Sequence, residues 1–220
     1  MTTPTLTENI ASLIDHTLLC PKATIKEITR LCNEAREHGF YSVCVNPYWV
    51  PTAKKLLAGS GVKLVTVVDF PLGTGLSRMK QQAAAAAVDA GADELDVVMN
   101  AGAALEGHWD FVEHEIHEIV SAAKGRKVKV IIEICQLNDA QIEEASRRIV
   151  KGGAHYVKTS TGFGASGATE HAVALIRKTV GCTFGVKASG GIRDRATAEK
   201  MLSAGADRIG ASASVEILKG

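Results

Sequence analysis

The sequence predicts an α/β fold in which eight strand–helix units close into a barrel, and three observations carry that expectation. Short apolar, β-branched runs recur along the 220 residues, too continuously apolar to be strands with one wet face. Segments rich in Ala, Glu, Lys and Arg separate them, and strand–helix–strand repetition at this period implies parallel pairing through right-handed crossovers. The repeat is about 27 residues, so eight units use the whole chain, whereas an open doubly wound sheet more often has five or six strands.

Taken in order, a short opening helix leads into IDHTLL (14–19), the first strand. The second to fourth are YSVCVN (41–46), KLVTVVDF (63–70) and ELDVVMN (94–100), and the fifth is KVKVIIEI (127–134). HYVKTS (155–160), FGVKASG (184–190) and RIGAS (208–212) complete the set, and SASVEILKG closes the chain as a short helix. Helical segments include 26–39, 77–92 and 138–154; the alanine run 83–87 reads as a helix centre. Ser77 and Asn138 fit as N-caps, and Gly39, Gly91, Gly152 and Gly205 as C-terminal caps before the next strand. No linker, low-complexity tract or composition break divides residues 1–220, so they are read as a single (β/α)8 TIM-barrel domain.

Composition removes several function classes. A net charge of +1 with no basic stripe gives no electrostatic case for nucleic acid or a membrane surface. No stretch approaches transmembrane length, and the polar start MTTPTLTENIASLIDH lacks the features of a secretory signal. Five scattered cysteines without a Cys-x-x-Cys pair suggest neither a disulfide framework nor a zinc site, and a reducing cytoplasm is the simplest compartment. Cys44, inside a strand, reads as a small core residue.

In such a barrel the reactive side chains stand at the C-terminal ends of strands. That rim collects Asp15 and Thr17, Cys44 and Asn46, Asp69, Asp96, Glu133, Lys158 and Lys187 from strands one to seven. The two lysines occupy matching places in YVKTST and GVKASG, 29 positions apart, about one βαβ step. On adjacent parallel strands roughly 4.8 Å apart they can share a pocket. Like-charge repulsion and burial then depress at least one pKa and leave a nucleophilic amine, as a Schiff-base enzyme requires. Asp96 interrupts an apolar strand, where an unpaired carboxylate is costly, so it is expected to join the lysines in a proton-transfer cluster.

Two glycine-rich segments follow the lysines, STGFGASGA (160–168), with Thr161 and Gly162, and ASGGIRD (188–194), with Gly190 and Gly191. Backbone amides of that glycine pair, with groups near Ser212, would form an anion cradle where such barrels usually hold phosphate. His114 and His117 lie at helical spacing but read as a solvated helix face. No HExxH, P-loop or dinucleotide fingerprint is present, and neither metal nor cofactor is expected.

IDHTLL, VCVNP, ELDVVMN, YVKTSTGF, GVKASGGIR and RIGAS, in this order across nearly the whole chain, resemble the deoxyribose-phosphate aldolase family. The resemblance implies a metal-free class I aldolase interconverting 2-deoxy-D-ribose 5-phosphate with acetaldehyde and D-glyceraldehyde 3-phosphate. It implies that Lys158 forms the imine, that Lys187 lowers the pKa of Lys158, and that Asp96 with Lys187 moves protons. It places Gly162, Gly190, Gly191 and Ser212 near the phosphate, and it implies a homodimer or higher homo-oligomer. Three departures stand out: Phe163 where some members have a lysine, Ala213 where a second serine often follows, and an end at Gly220 where longer members carry a tail ending in tyrosine. The first two bear on phosphate binding and the third on the proton step. Other readings stay open: another Schiff-base or transaldolase-like aldolase, or a non-enzymatic barrel holding phosphate or pyridoxal phosphate. Asp96→Asn is expected to fold normally yet lose most turnover.

Overall fold

A computed structural model of the chain describes residues 10–219. Its eight strands are β1 (Ile14–Leu18), β2 (Ser42–Val45), β3 (Lys63–Val68), β4 (Glu94–Val98), β5 (Lys127–Ile131), β6 (Tyr156–Lys158), β7 (Gly185–Ser189) and β8 (Arg208–Ala211). All pair in parallel, in sequence order, and β8 returns to β1, so the barrel closes and leaves no sheet edge. The helices around it are α1 (Ile25–His38), α2 (Val50–Leu56), α3 (Ser77–Asp89), α4 (Ala101–Leu105), α5 (Trp109–Ala122), α6 (Asp139–Lys151), α7 (Glu170–Val180), α8 (Arg195–Ser203) and α9 (Ser214–Lys219). The expected (β/α)8 barrel is present, with an additional short helix α4 in the crossover from β4 to β5. The opening helix is one 3-10 turn, Ile10–Leu13.

Apolar side chains on the outer strand face, such as Val43, Leu64, Leu95, Val130, Val157, Val186 and Ile209, pack under the helices and make the main core. The opposite phase of each strand points into the barrel, and the register joins those residues around it. Thr17 lies beside Cys44, Cys44 beside Val65, Val67 beside Asp96, and Asp96 beside Lys129. Ile131 then lies beside Lys158, Lys158 beside Lys187, and Lys187 beside Arg208. The inside of this barrel is therefore mixed: an apolar patch of Cys44, Val65 and Val67 lies beside a group of ions carried by β1 and β4 to β8.

Several strands end earlier than their apolar runs do. Asp69 and Glu133 follow β3 and β5 in left-handed conformation (φ 52° and 51°), which turns the chain out of the sheet and re-aims the next side chains. Asn138 caps α6 as expected, in a reciprocal capping box with Gln141. Ser77 does not cap α3: it is the first helical residue, and its hydroxyl donates to Glu115 Oε1 at 2.7 Å. Glu115 also pairs at 2.8 Å with Lys80, a buried ammonium that donates to the carbonyls of Gly73 and Val98. Gly39, Gly91 and Gly205 take positive φ at helix ends, but Gly152 is right-handed and Gly153 makes the left-handed step.

Gly152 is required by packing instead. A Cβ there would stand 2.7 Å from Ile116 Cγ2 and 3.1 Å from the Glu113 carbonyl, where α6 crosses α5. Gly152→Ala should therefore destabilise the protein by about 1–3 kcal/mol, although the right-handed backbone of this residue would by itself favour alanine. Urea unfolding reads this directly; an unchanged midpoint would mean that the two helices separate without cost.

Candidate active site

Six ionisable groups inside the barrel, with Lys158 at the top, form one connected cluster. Lys158 Nζ and Lys187 Nζ both donate to the same oxygen, Asp96 Oδ2, at 2.7 Å each. The other oxygen, Oδ1, accepts from Lys129 Nζ at 2.9 Å. Lys129 turns its remaining charge to Glu94 Oε2 at 2.7 Å, and Glu94 Oε1 accepts the Tyr41 hydroxyl at 2.7 Å. Lys187 also donates to Asp15, which accepts from Ser42 at 2.7 Å and from Arg208 at 3.0 Å. Arg208 in turn lies flat on the Tyr41 ring, 3.2 Å from its centroid.

All of these groups except the half-buried Tyr41 are buried. Three carboxylates (Asp15, Glu94, Asp96) face Lys129, Lys187, Arg208 and Lys158, so the cluster is neutral only when one amine gives up its proton. Desolvation is the largest effect on every lysine, and their partners decide which one yields. Burial pushes the Lys158 amine below the ordinary lysine range; Asp96 opposes this, and the Lys187 ammonium reinforces it. Burial acts on Lys187 too, but Asp15 and Asp96 together hold it above that range. Lys129 is raised by Asp96, Asp15 and Glu94 against the same penalty. The coulombic pull of three lysines keeps Asp96 ionised, well below the usual carboxylate range, despite its burial. Of the three lysines, Lys158 is thus the one that gives up its proton most readily.

Lys158 opens onto a cavity of about 460 Å³ at the C-terminal end of the strands. Thr17, Thr161, Gly162, Gly190, Gly191 and Ser212 line it, as the sequence suggests. Asp15 does not: it lies at the centre of the cluster below. Cys44 sits beneath the wall with Leu19, Val65 and Val67, and burial, then the charge of Asp96, pushes its thiol up to about 11. It behaves as a core residue. Asn46 braces the wall by donating to the Leu19 carbonyl at 3.2 Å. Ser212 precedes α9 by two residues and belongs to the loop, not to the helix start.

The cavity also holds residues that the sequence reading passed over. Arg193 lines it, two residues beyond the glycine pair, and brings the cationic side chain that Phe163 does not. Its signal was the R of ASGGIRD, a segment read only for its glycine pair. Ser189 contributes a buried hydroxyl with no partner, pointing into this region. Lys129 and Glu94 interrupt or begin apolar strands just as Asp96 does, at the same two-residue phase. His114 and His117 lie on α5 beside a surface hollow with Asp110, Glu113 and Lys151. Among the described residues no group of three or more His, Cys, Asp and Glu side chains is placed to hold a metal.

A profile described as DeoC/LacD family aldolase matches residues 9–218. The deoxyribose-phosphate aldolase of Geobacillus sp. strain WCH70 is 53% identical over 213 residues, covering 96% of each chain. That of Dictyoglomus turgidum is 51% identical over 211 residues, again covering 96% of both. Among solved structures, the aldolase QR15 superposes with a TM-score of 0.92 at 40% identity, covering 96% of this chain and 95% of its own. The deoxyribose phosphate aldolase of Aeropyrum pernix, a tetramer, superposes at 0.89 with 37% identity, covering 96% and 89%.

The charge arrangement makes a prediction that needs no substrate. Only a neutral amine undergoes reductive methylation, so Lys158 should begin to react at lower pH than the surface lysines. In Lys187→Leu a neighbouring positive charge is gone and Asp96 has one cation fewer to hold; both changes favour the ammonium form of Lys158. Its reaction midpoint, followed by mass spectrometry across pH, should move upward yet stay below that of surface lysines, because burial remains. An unmoved midpoint would leave burial as the sole cause.

Proposed function

The chain belongs to the DeoC/LacD family of aldolases, and we propose that it acts as a deoxyribose-phosphate aldolase through an imine on Lys158. It is a lyase that reversibly cleaves 2-deoxy-D-ribose 5-phosphate to D-glyceraldehyde 3-phosphate and acetaldehyde. The observation that carries the site reading is the single oxygen of Asp96 shared by Lys158 and Lys187 where the cavity meets the ion cluster.

The neutral Lys158 amine attacks the carbonyl carbon of the open-chain sugar, and loss of water leaves a cationic imine. This cation is an electron sink: as the C3 hydroxyl loses its proton, the C2–C3 bond breaks and its electrons form an enamine on Lys158. Glyceraldehyde 3-phosphate leaves, the enamine takes a proton at C2, and water releases acetaldehyde and the free amine. Asp96 stays ionised throughout. It serves first to hold the two amines and then to stabilise the imine cation at the place the amine occupied. Lys187, charged and 2.7 Å from the same oxygen, gives its proton to the hydroxyl that leaves as water. In its neutral form it takes the C3 hydroxyl proton as the bond breaks, and it returns that proton to C2 of the enamine. The imine formed on the chain's own amine supplies the electron sink, so this mechanism calls on no cofactor.

Arg193 and the amides of Gly190 and Gly191, with Ser212, suit a phosphate at the far end of the cavity, and Gly162 lies against that loop. Phosphate binding there holds the carbonyl beside Lys158, so remote binding energy supports the chemical step. The whole barrel is read as one catalytic unit. A cytoplasmic homo-oligomer fits a phosphorylated substrate and the tetrameric relative from Aeropyrum pernix.

Borohydride reduction in acetaldehyde should leave a two-carbon adduct on Lys158; an adduct on Lys187 alone, or none, overturns the assignment. Asp96→Asn should lower turnover by about 10²–10⁴-fold. The structure also revises the expectation that this variant folds normally. Removing the carboxylate leaves two carboxylates facing the buried cations, so a stability loss of about 3–5 kcal/mol should accompany it. Turnover and urea unfolding, measured on the same preparation, separate the two effects.

A further inference from the structure

Glu133 is buried, and no cationic side chain pairs with it among the described residues. It sits at a break in the β5–β6 ladder. Ile132 N–H donates to the Lys158 carbonyl and Ile134 N–H to the Thr159 carbonyl, 3.0 Å each, so two steps along one strand match one along the other. Glu133 is the extra residue, a bulge in left-handed conformation. A non-glycine residue in that conformation costs of order 1–3 kcal/mol, so the surroundings must hold it there.

What the bulge achieves is to turn the carboxylate away from the ion cluster and onto the loop after β6. The Thr161 hydroxyl donates to Glu133 Oε2, and the Phe163 amide donates to Thr161 Oγ1 at 3.0 Å. A Cβ on Gly164 would stand 3.1 Å from the Glu133 carboxyl carbon, so the loop rests directly on this side chain. Further along, the loop meets the glycine pair backbone to backbone. Ala168 N–H donates to the carbonyls of Ser189 and Gly190 at 3.1 Å, and a Cβ on Gly167 would lie 2.1 Å from the Gly190 carbonyl oxygen. Contacts thus run without a gap from Glu133 through Thr161 to Gly190.

We propose that Glu133 is a positioning residue which, through Thr161, fixes the two loops that close on the phosphate end of the substrate, and so sets the preference for a phosphorylated over a non-phosphorylated sugar. This rests on the aldolase reading above. Glu133 does not line the cavity, so it does not touch the sugar. A negative charge near a phosphate is unfavourable in itself. The useful property of the side chain is therefore its acceptor oxygen at that position, and an uncharged acceptor of the same shape should serve.

The test is the ratio of kcat/KM for 2-deoxyribose 5-phosphate to that for 2-deoxyribose in wild type, Glu133→Ala, Glu133→Gln and Thr161→Val. Glu133→Ala should lower the ratio by about tenfold or more, mainly through KM for the phosphorylated sugar. Glu133→Gln should keep it within about twofold. Thr161→Val, which leaves the β5 bulge intact, should reproduce the alanine result and carries the test if Glu133→Ala does not fold. An unchanged ratio, an equal fall for both sugars, or glutamine as damaging as alanine would overturn the proposal. Borohydride trapping of wild type with acetaldehyde alone separates the two readings. Absence of trapping removes the aldolase reading, whereas trapping with an unchanged ratio in Glu133→Ala and Thr161→Val removes only the role of Glu133.

Discussion

Electrical balance inside the barrel is the constraint on which the rest of the structure depends. Ions moved out of water cost several kcal/mol each unless partners replace the solvent. Here Asp15, Glu94 and Asp96 neutralise Lys129, Lys187 and Arg208, and the fourth cation has only a share of an oxygen already engaged by Lys187. Neutral Lys158 is thus the form in which the cluster balances, and a proton-poor amine follows from folding a balanced interior. The strand register makes this possible. Slipping β6 by one residue would turn Lys158 outward into the helical layer and leave Lys187 without its neighbour.

Above this floor the cavity wall is made of loops, and they obey different rules. The floor is held by strands and ion pairs, whereas the wall is held by turns in which a carboxylate accepts from a loop. Asp69 accepts from the Gly75 amide at 2.8 Å and so folds the segment carrying Phe70, whose ring meets the edge of Phe163 5.3 Å away. Glu133 holds the segment on the other side of that contact. The aromatic pair makes this side of the rim apolar, and the cation of the rim comes from Arg193 on the neighbouring loop. Replacement of a lysine by Phe163 therefore removes one charge from the wall without disturbing the floor.

The fold was legible because parallel strands buried on both faces write continuous apolar runs, and their count and spacing decide between a barrel and an open sheet. Lys158, Lys187 and Asp96 were legible for a related reason: a charge inside such a run has nowhere inexpensive to go. Lys129 carries the same signal in KVKVIIEI but was hidden by Lys127, which makes the strand start look like an ordinary wet end. Glu94 and Arg208 begin their strands and were hidden in the same way, since a single sequence does not show which strand ends the barrel closes over. Asp15 was read as a rim group because strand length sets depth, and β1 continues three residues beyond it. The bulge at Glu133 and the tight crossing at Gly152 depend on contacts between segments distant in sequence, and periodicity carries no trace of those.

The two lysines also show how a pair of like residues comes to have pKa values shifted in opposite directions. They lie side by side in register, both are buried, and both donate to Asp96 Oδ2 at one distance. Nothing local to either strand separates them. The difference is Asp15, which reaches Lys187 from β1 and does not reach Lys158. With two carboxylates Lys187 keeps its proton against burial; with one shared oxygen Lys158 is left on the other side of that balance. Barrel closure brings β1 next to β8, one strand beyond β7, so the first strand of the chain selects between lysines on the sixth and seventh. The lysine whose pKa is lowered is therefore selected by a residue that touches neither the cavity nor that lysine itself.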